Sequence, residues 1–200
     1  MAAERLSLPA MTARLTATDL ACRRGDRVLF RGLSLALKPR EVLHITGANG
    51  IGKSSLMRIL AGLLSPYAGS VKRDGAVGLL DERPALDPDQ PLGKALGFWR
   101  AIDAAPDTHI PWGIEHLLDV PVRYLSTGQT KRGALARLSG QNAPIWLLDE
   151  PLNGLDARGV TDVGAMVEGH CRAGGICVLA SHQPFPLGGM RLLDLSDYVP

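Results

Sequence analysis

The stretch EVLHITGANGIGKSSLMRILAGLL (Glu41–Leu64) passes from a short apolar run, through a glycine-rich turn, into a segment of helical periodicity. Its centre, GANGIGKSS (Gly47–Ser55), matches G-x-x-x-x-G-K-[ST] and sits between strand and helix, as that motif requires. Glycines at such a turn let backbone N–H groups converge on phosphate oxygens, which side chains would obstruct. Gly47, Ala48, Asn49, Gly50, Ile51, Gly52, Lys53, Ser54 and Ser55 are therefore candidate nucleotide-binding residues. The Lys53 ammonium suits the β- and γ-phosphates, and the Ser54 hydroxyl suits Mg²⁺. Downstream, Leu56, Ile59, Leu60 and Leu63 share one helical face.

Outward from this centre the chain alternates strand-like and helix-like runs. RVLFRGLSLAL (Arg27–Leu37) alternates like a strand with one buried face. AVGLL (Ala76–Leu80), PIWLLDEP (Pro144–Pro151) and ICVLASH (Ile176–His182) read as buried strands. Such alternation predicts an α/β fold with a parallel sheet and crossovers. SPYAGS, with Pro66 and Gly69, is read as a break. Residues 84–143 carry Pro84, Pro88, Pro91, Pro106, Pro111 and Pro121 between short helical pieces such as LGKALGFWRAI (Leu92–Ile102), and predict a helical insertion.

IWLLDEP places four apolar residues directly before Asp149 and Glu150. A buried parallel strand ending there delivers both carboxylates to the crevice at the sheet's carboxyl edge. Asp149 suits Mg²⁺ through a bound water, and Glu150 suits the water attacking a γ-phosphate, as base or positioner. His182 ends another apolar strand and is placed to touch the γ-phosphate; a lone histidine there is more often structural. His44, His109, His116 and His170 lack such a setting.

The 200 residues suit a single domain, and 46% hydrophobic with 21% charged residues is a globular composition. A net charge of +2, with Lys and Arg scattered, gives no footprint for nucleic acid. No run approaches 18 apolar residues, so no membrane span is expected. The first residues, about 1–10, lack an apolar signal core and read as a disordered leader, with Met11 an alternative start. Cys22, Cys171 and Cys177 have no metal spacing and read as reduced thiols.

VRYLSTGQTKRGALARL (Val122–Leu138) contains a second anion-attracting helix start, although the phosphate loop already serves a nucleotide. Ser126 and Gly128 offer a hydroxyl, backbone N–H groups and a helix dipole suited to a γ-phosphate. LSTGQ (Leu125–Gln129) resembles the signature loop of ATP-binding-cassette ATPases, and NGLD (Asn153–Asp156) resembles their D-loop. With the phosphate loop, LLDEP and His182, the resemblance covers roughly residues 14–195. It implies a mostly parallel core sheet flanked by helices, an antiparallel β part near the N-terminus and a helical subdomain over about 84–143. It also implies ATP and Mg²⁺, and a homodimer in which Ser126, Gly128 and Gln129 meet the other subunit's ATP, with Asp156 in the D-loop.

GANGIGKSSLMRILAGLLSPYAGSV, ALARL, LDEPLNGLDARGV and SHQP further resemble the ATP-binding subunits of haem exporters in cytochrome c maturation. That resemblance implies an integral membrane subunit as partner, placement on the cytoplasmic face of the bacterial inner membrane, and haem met only indirectly, since no CxxCH is present. A soluble ATP-gated regulatory cassette is the alternative.

Two family positions differ. The Q-loop Gln falls on Arg83, and Glu82 replaces the preceding His. Arginine is donor-only and always charged, so it cannot ligate Mg²⁺. Arg83 turns to a phosphate or the membrane partner, Glu82 supplies the metal oxygen, or Gln90 takes over; an inhibitory Arg83 and slowed hydrolysis are expected. The adenine-stacking aromatic is also missing, and Arg24 either stacks on the base or is solvated. Phe98, Trp99 and Trp112 fall near the family's docking groove and are read mainly as core, with at least one exposed.

Overall fold

The computed structural model describes residues 13–103 and 112–200. The expected leader, Met11, Pro106, His109 and Pro111 lie outside the described residues. Two sheets organise the chain. Strands β1 (Arg14–Arg24), β2 (Arg27–Leu37) and β4 (Ala68–Asp74) form an antiparallel sheet of order β2-β1-β4. Strands β3 (Val42–Thr46), β5 (Val77–Leu80), β6 (Ile145–Asp149), β7 (Ile176–Ala180) and β8 (Arg191–Asp194) form a parallel sheet of order β5-β6-β7-β3-β8.

The apolar runs of β6 and β7 are continuous because both faces of the parallel sheet are covered. Alternate side chains enter different cores. Ile145, Leu147, Ile176 and Val178 join the antiparallel sheet and helix α1 (Lys53–Ala61). Trp146, Leu148, Cys177 and Leu179 join α2 (Leu92–Asp103), α3 (Thr127–Gly140) and α4 (Ala157–Arg172). Each such fully buried aliphatic side chain contributes roughly 1.5–3 kcal/mol. Between β5 and β6, α2 packs on α3.

One expectation changes. Helix α1 stops at Ala61, because Gly62 takes a left-handed cap (φ 83°), and Leu63 is 69% exposed rather than on the buried face. As expected, the helix does not continue through SPYAGS, and β4 begins within it at Ala68 and pairs with β1. Of the three aromatics, Trp112 is core and Trp99 half-buried, whereas Phe98 is 61% exposed. Cys22, Cys171 and Cys177 are free and buried. Burial raises all three thiols above the usual range, Cys171 to about 11. His170 stacks on Trp146 in the core, and His44 Nε2 lies 3.2 Å from the Ser181 carbonyl.

Candidate ATP site

The sheet order brings four strand ends together at one edge. Glu82 follows β5, Asp149 and Glu150 close β6, Ser181 and His182 follow β7, and Gly47 follows β3. A crevice of about 350 Å³ there is lined by Gly50, Lys53, Ser54, Glu82, Glu150 and His182, among others. Gly47, Gly50 and Gly52 have φ of 133°, 75° and 122°, so the loop requires backbone that other residues rarely adopt. Helix α1 starts at Gly52 with no side-chain cap and no acidic residue in its first turn, leaving its N–H groups to an anion. Lys53 is 6% exposed and donates to the Gly47 and Ala48 carbonyls at 2.7 and 3.2 Å.

Asp149 is 2% exposed, and its Oδ1 has no hydrogen-bond partner. Burial pushes its carboxyl above the usual range, the Ser54 hydroxyl opposes this, and the charges of Glu150, Glu82 and Asp81 add to it. A buried carboxylate oxygen without a donor, beside a serine hydroxyl, fits a hard divalent cation. Among the described residues no cluster of three or more His, Cys, Asp or Glu forms a self-sufficient metal cage. The set suits an ion that completes its shell with phosphate oxygens and waters.

Glu150 follows β6 with φ 47°, and its Oε2 is 3.0 Å from His182 Nδ1. With an ionised carboxylate as acceptor, Nδ1 carries the proton and Nε2 is left toward the crevice. Glu150 and His182 line the same crevice as Lys53.

The start of α3 is built differently from that of α1. Ser126 Oγ accepts from Gln129 N, and Gln129 Oε1 accepts from Ser126 N, a reciprocal capping box. The Ser126 hydroxyl proton and the Gln129 amide N–H groups remain available to an outside anion. This turn lies against its own chain's NGLD segment, Gly128 packing on Gly154. Asp156 caps α4 through Gly159 N and pairs with Arg132 at 2.6 Å. The Gly159 N–H, then Arg132, hold its carboxyl below the usual range. Asp156 thus has a bracing role within the chain beside the D-loop role expected of it.

The ABC transporter family model matches residues 30–153. The "Cytochrome c biogenesis ATP-binding export protein CcmA" of Novosphingobium aromaticivorans is 58% identical over 93% of this chain and 97% of its own length. The protein of the same name from Zymomonas mobilis is 48% identical over 94% of this chain and 86% of its own. The chain belongs to the ABC transporter family, among the cytochrome c biogenesis ATP-binding export proteins. A putative ABC transporter ATP-binding protein from Pyrococcus furiosus superposes with a TM-score of 0.79 over 94% of this chain and all of its own, at 21% identity, so it supports the fold.

As an ABC ATPase the chain binds and hydrolyses ATP, and the structure bears on its unusual Q-loop. Glu82, not Arg83, lines the ATP crevice. Arg83 faces a separate cavity of about 300 Å³ shared with Leu63, Leu79, Ala134 and Arg137, and its backbone N–H donates to Asp81 Oδ1. Gln90 lies farther off, in a groove beside α2. In this structure the Arg83 side chain therefore lines a cavity other than the ATP crevice. Arg83→Gln is expected to change kcat by less than about twofold, as surface substitutions usually do. A severalfold rise in steady-state ATP turnover by the assembled complex contradicts this placement.

Arg24 reaches Ser55 Oγ at 3.5 Å, which ties it to the start of α1. Sequence reasoning missed Lys131, whose Nζ donates to the Glu150 carbonyl at 3.2 Å, and Arg132. The capping box S-x-x-Q was the readable signal at this turn; nothing in it announces where the next two basic side chains point.

Proposed function

We propose that this ABC ATPase powers a membrane export complex for cytochrome c biogenesis, with haem as the cargo carried by the membrane subunit. The observation that carries the reading is the similarity to cytochrome c biogenesis export proteins over nearly the whole chain. None of the described helices is long and apolar enough to cross a membrane, so the translocation path belongs to an integral partner. A groove of about 580 Å³ between the Q-loop segment and α2, lined by Ala85, Leu86, Ala95, Phe98 and Trp99, supports docking of that partner. Exposed Phe98 supplies the kind of apolar contact an interface uses. Use of ATP supports a position at the cytoplasmic face of the inner membrane, where ATP is available.

Two copies meet head to tail. The phosphate loop of one and the α3 start of the other enclose each ATP, so the two helix starts serve different nucleotides. Lys53 and the α1 N–H groups bind the phosphates, Ser54 and Asp149 hold Mg²⁺, and Glu150 accepts the proton of the attacking water while His182 orients its carboxylate. When bound, the metal neutralises charge on the β- and γ-phosphate oxygens. Cleavage to ADP and phosphate removes the contact to the α3 start and lets the subunits part.

The test is complementation of a strain lacking this chain. Lys53→Ala and Phe98→Asp are both expected to fail to restore covalent haem attachment to c-type cytochromes. Phe98→Asp retains ATP binding and loses co-purification with the membrane subunit. Normal attachment with Lys53→Ala refutes the assignment.

A further inference from the structure

We propose that Lys131 is a positioning residue for Glu150, and that it makes the α3 start and the hydrolytic carboxylate of the same chain move together. Lys131 lies in the second turn of α3 and its Nζ donates to the Glu150 backbone carbonyl at 3.2 Å. That carbonyl's other contact is with Asn153 N, at 3.4 Å. Glu150 holds a left-handed backbone (φ 47°), which a non-glycine residue keeps only when its surroundings determine it. Lys131 fixes the peptide end and His182 fixes the carboxylate end.

The surroundings explain why a lysine fits there. A cavity of about 390 Å³ between α3 and the strand ends is lined by Thr127, Thr130, Lys131, Glu82, Glu150 and Asn153. Burial lowers the pKa of the ammonium, while Asp149, Glu150, Asp81 and Glu82 oppose that from the neighbouring strand ends. Lys131 Nζ thus sits beside an acidic cluster and donates to one carbonyl. Gly128 against Gly154 and Arg132 with Asp156 brace the same two segments farther along, but neither reaches Glu150. About one and a half helical turns separate Ser126 from Lys131, so a shift of the α3 start is transmitted along a rigid helix. In the shared-site dimer, on which the coupling half rests, the α3 start moves with the partner's ATP. Occupancy of one site then changes the geometry of Glu150 in the other, and coupling of this kind is reciprocal.

The experiment compares Lys131→Met and Lys131→Arg with the wild type, each assembled with its membrane subunit. Lys131→Met is expected to lower kcat about 10- to 100-fold, the effect of misplacing a catalytic group by about 1 Å. Nucleotide affinity stays within about twofold, as the phosphate loop is untouched. The Hill coefficient for ATP falls to one, and Lys131→Arg recovers most of kcat by restoring a donor. An unchanged kcat, a parallel loss of nucleotide affinity, or an arginine variant no better than methionine overturns the proposal. A wild-type background carrying Glu150→Gln reports separately on the dimer. If ATP yields no dimer there, the shared-site reading and the coupling half fall together, while kcat and its rescue by arginine still decide whether Lys131 positions Glu150.

Discussion

Glu150→Gln is expected to lower the hydrolysis rate by about 10²–10⁴-fold, the range a positioned general base contributes, while leaving ATP affinity nearly unchanged. The substitution keeps the size of the side chain and a polar contact to His182, whose Nδ1 lies 3.0 Å from the carboxylate. It removes only the ability to take a proton from water. Lys53 and the uncapped start of α1, proposed to hold the triphosphate, stand apart from that change. ATP should therefore accumulate in the site and lock two copies together. Size-exclusion chromatography with ATP and Mg²⁺ checks the second half, and single-turnover hydrolysis checks the first. A Gln variant that hydrolyses within threefold of wild type removes Glu150 from the role of base. A variant that is inactive but monomeric with ATP keeps the base and removes the shared site.

The residues of this site were legible where strand ends made them so. A short continuous apolar run closed by turn residues fits a strand covered on both faces, and whatever follows such a strand emerges at the sheet's edge. Lys53, Ser54, Glu150 and His182 all come after such runs and line the same crevice, while Asp149 is buried beside the Ser54 hydroxyl. The parallel sheet was readable for the same reason. Strand β1 was not, because register shifts between Ala17, Leu20, Cys22 and Arg23 and a left-handed Asp19 (φ 49°) break its alternation. Strand β4, AGSVKRD, is mostly exposed and owes its form to pairing with β1. Helix α4 carries Val163, Val167 and Cys171 at helical spacing, a readable signal that the glycines of its sequence obscured.

At the Q-loop the deciding quantity was an offset of one residue. Alignment by motif put Arg83 where the family has Gln, and charge alone then argued for slow hydrolysis. The turn after β5 instead presents Glu82 to the crevice and sends Arg83 to another cavity. Which of two adjacent residues faces a site depends on backbone dihedrals in a loop, and no periodicity encodes those. Lys131 was hidden for a related reason. Its sequence neighbours read as an anion-attracting helix start, yet its side chain runs back to the Glu150 backbone carbonyl of its own chain.

Gly128 shows how the structure alters a mechanism without altering the residue. From sequence, Gly128→Asp abolishes hydrolysis because a carboxylate would face a triphosphate across the dimer, where like charges repel. The structure adds a steric cause inside one chain. A Cβ at Gly128 would lie 2.4 Å from the Gly154 carbonyl oxygen, a backbone atom with no flexible end to turn aside. Gly154 itself has φ 79°, so the opposing turn gives way only with strain. Either α3 or the 150–156 segment must therefore shift, and both are tied by Arg132–Asp156 and Lys131–Glu150. Even Gly128→Ala, which brings no charge, is expected to lower kcat by about 10²-fold through displaced catalytic geometry. ATP binding to the isolated chain should stay within about twofold for both variants, because the phosphate loop is remote from the clash. Comparing the two in single-turnover hydrolysis separates the causes. Equal losses assign the effect to the contact within the chain, whereas a silent alanine with an inactive aspartate returns it to repulsion across the dimer.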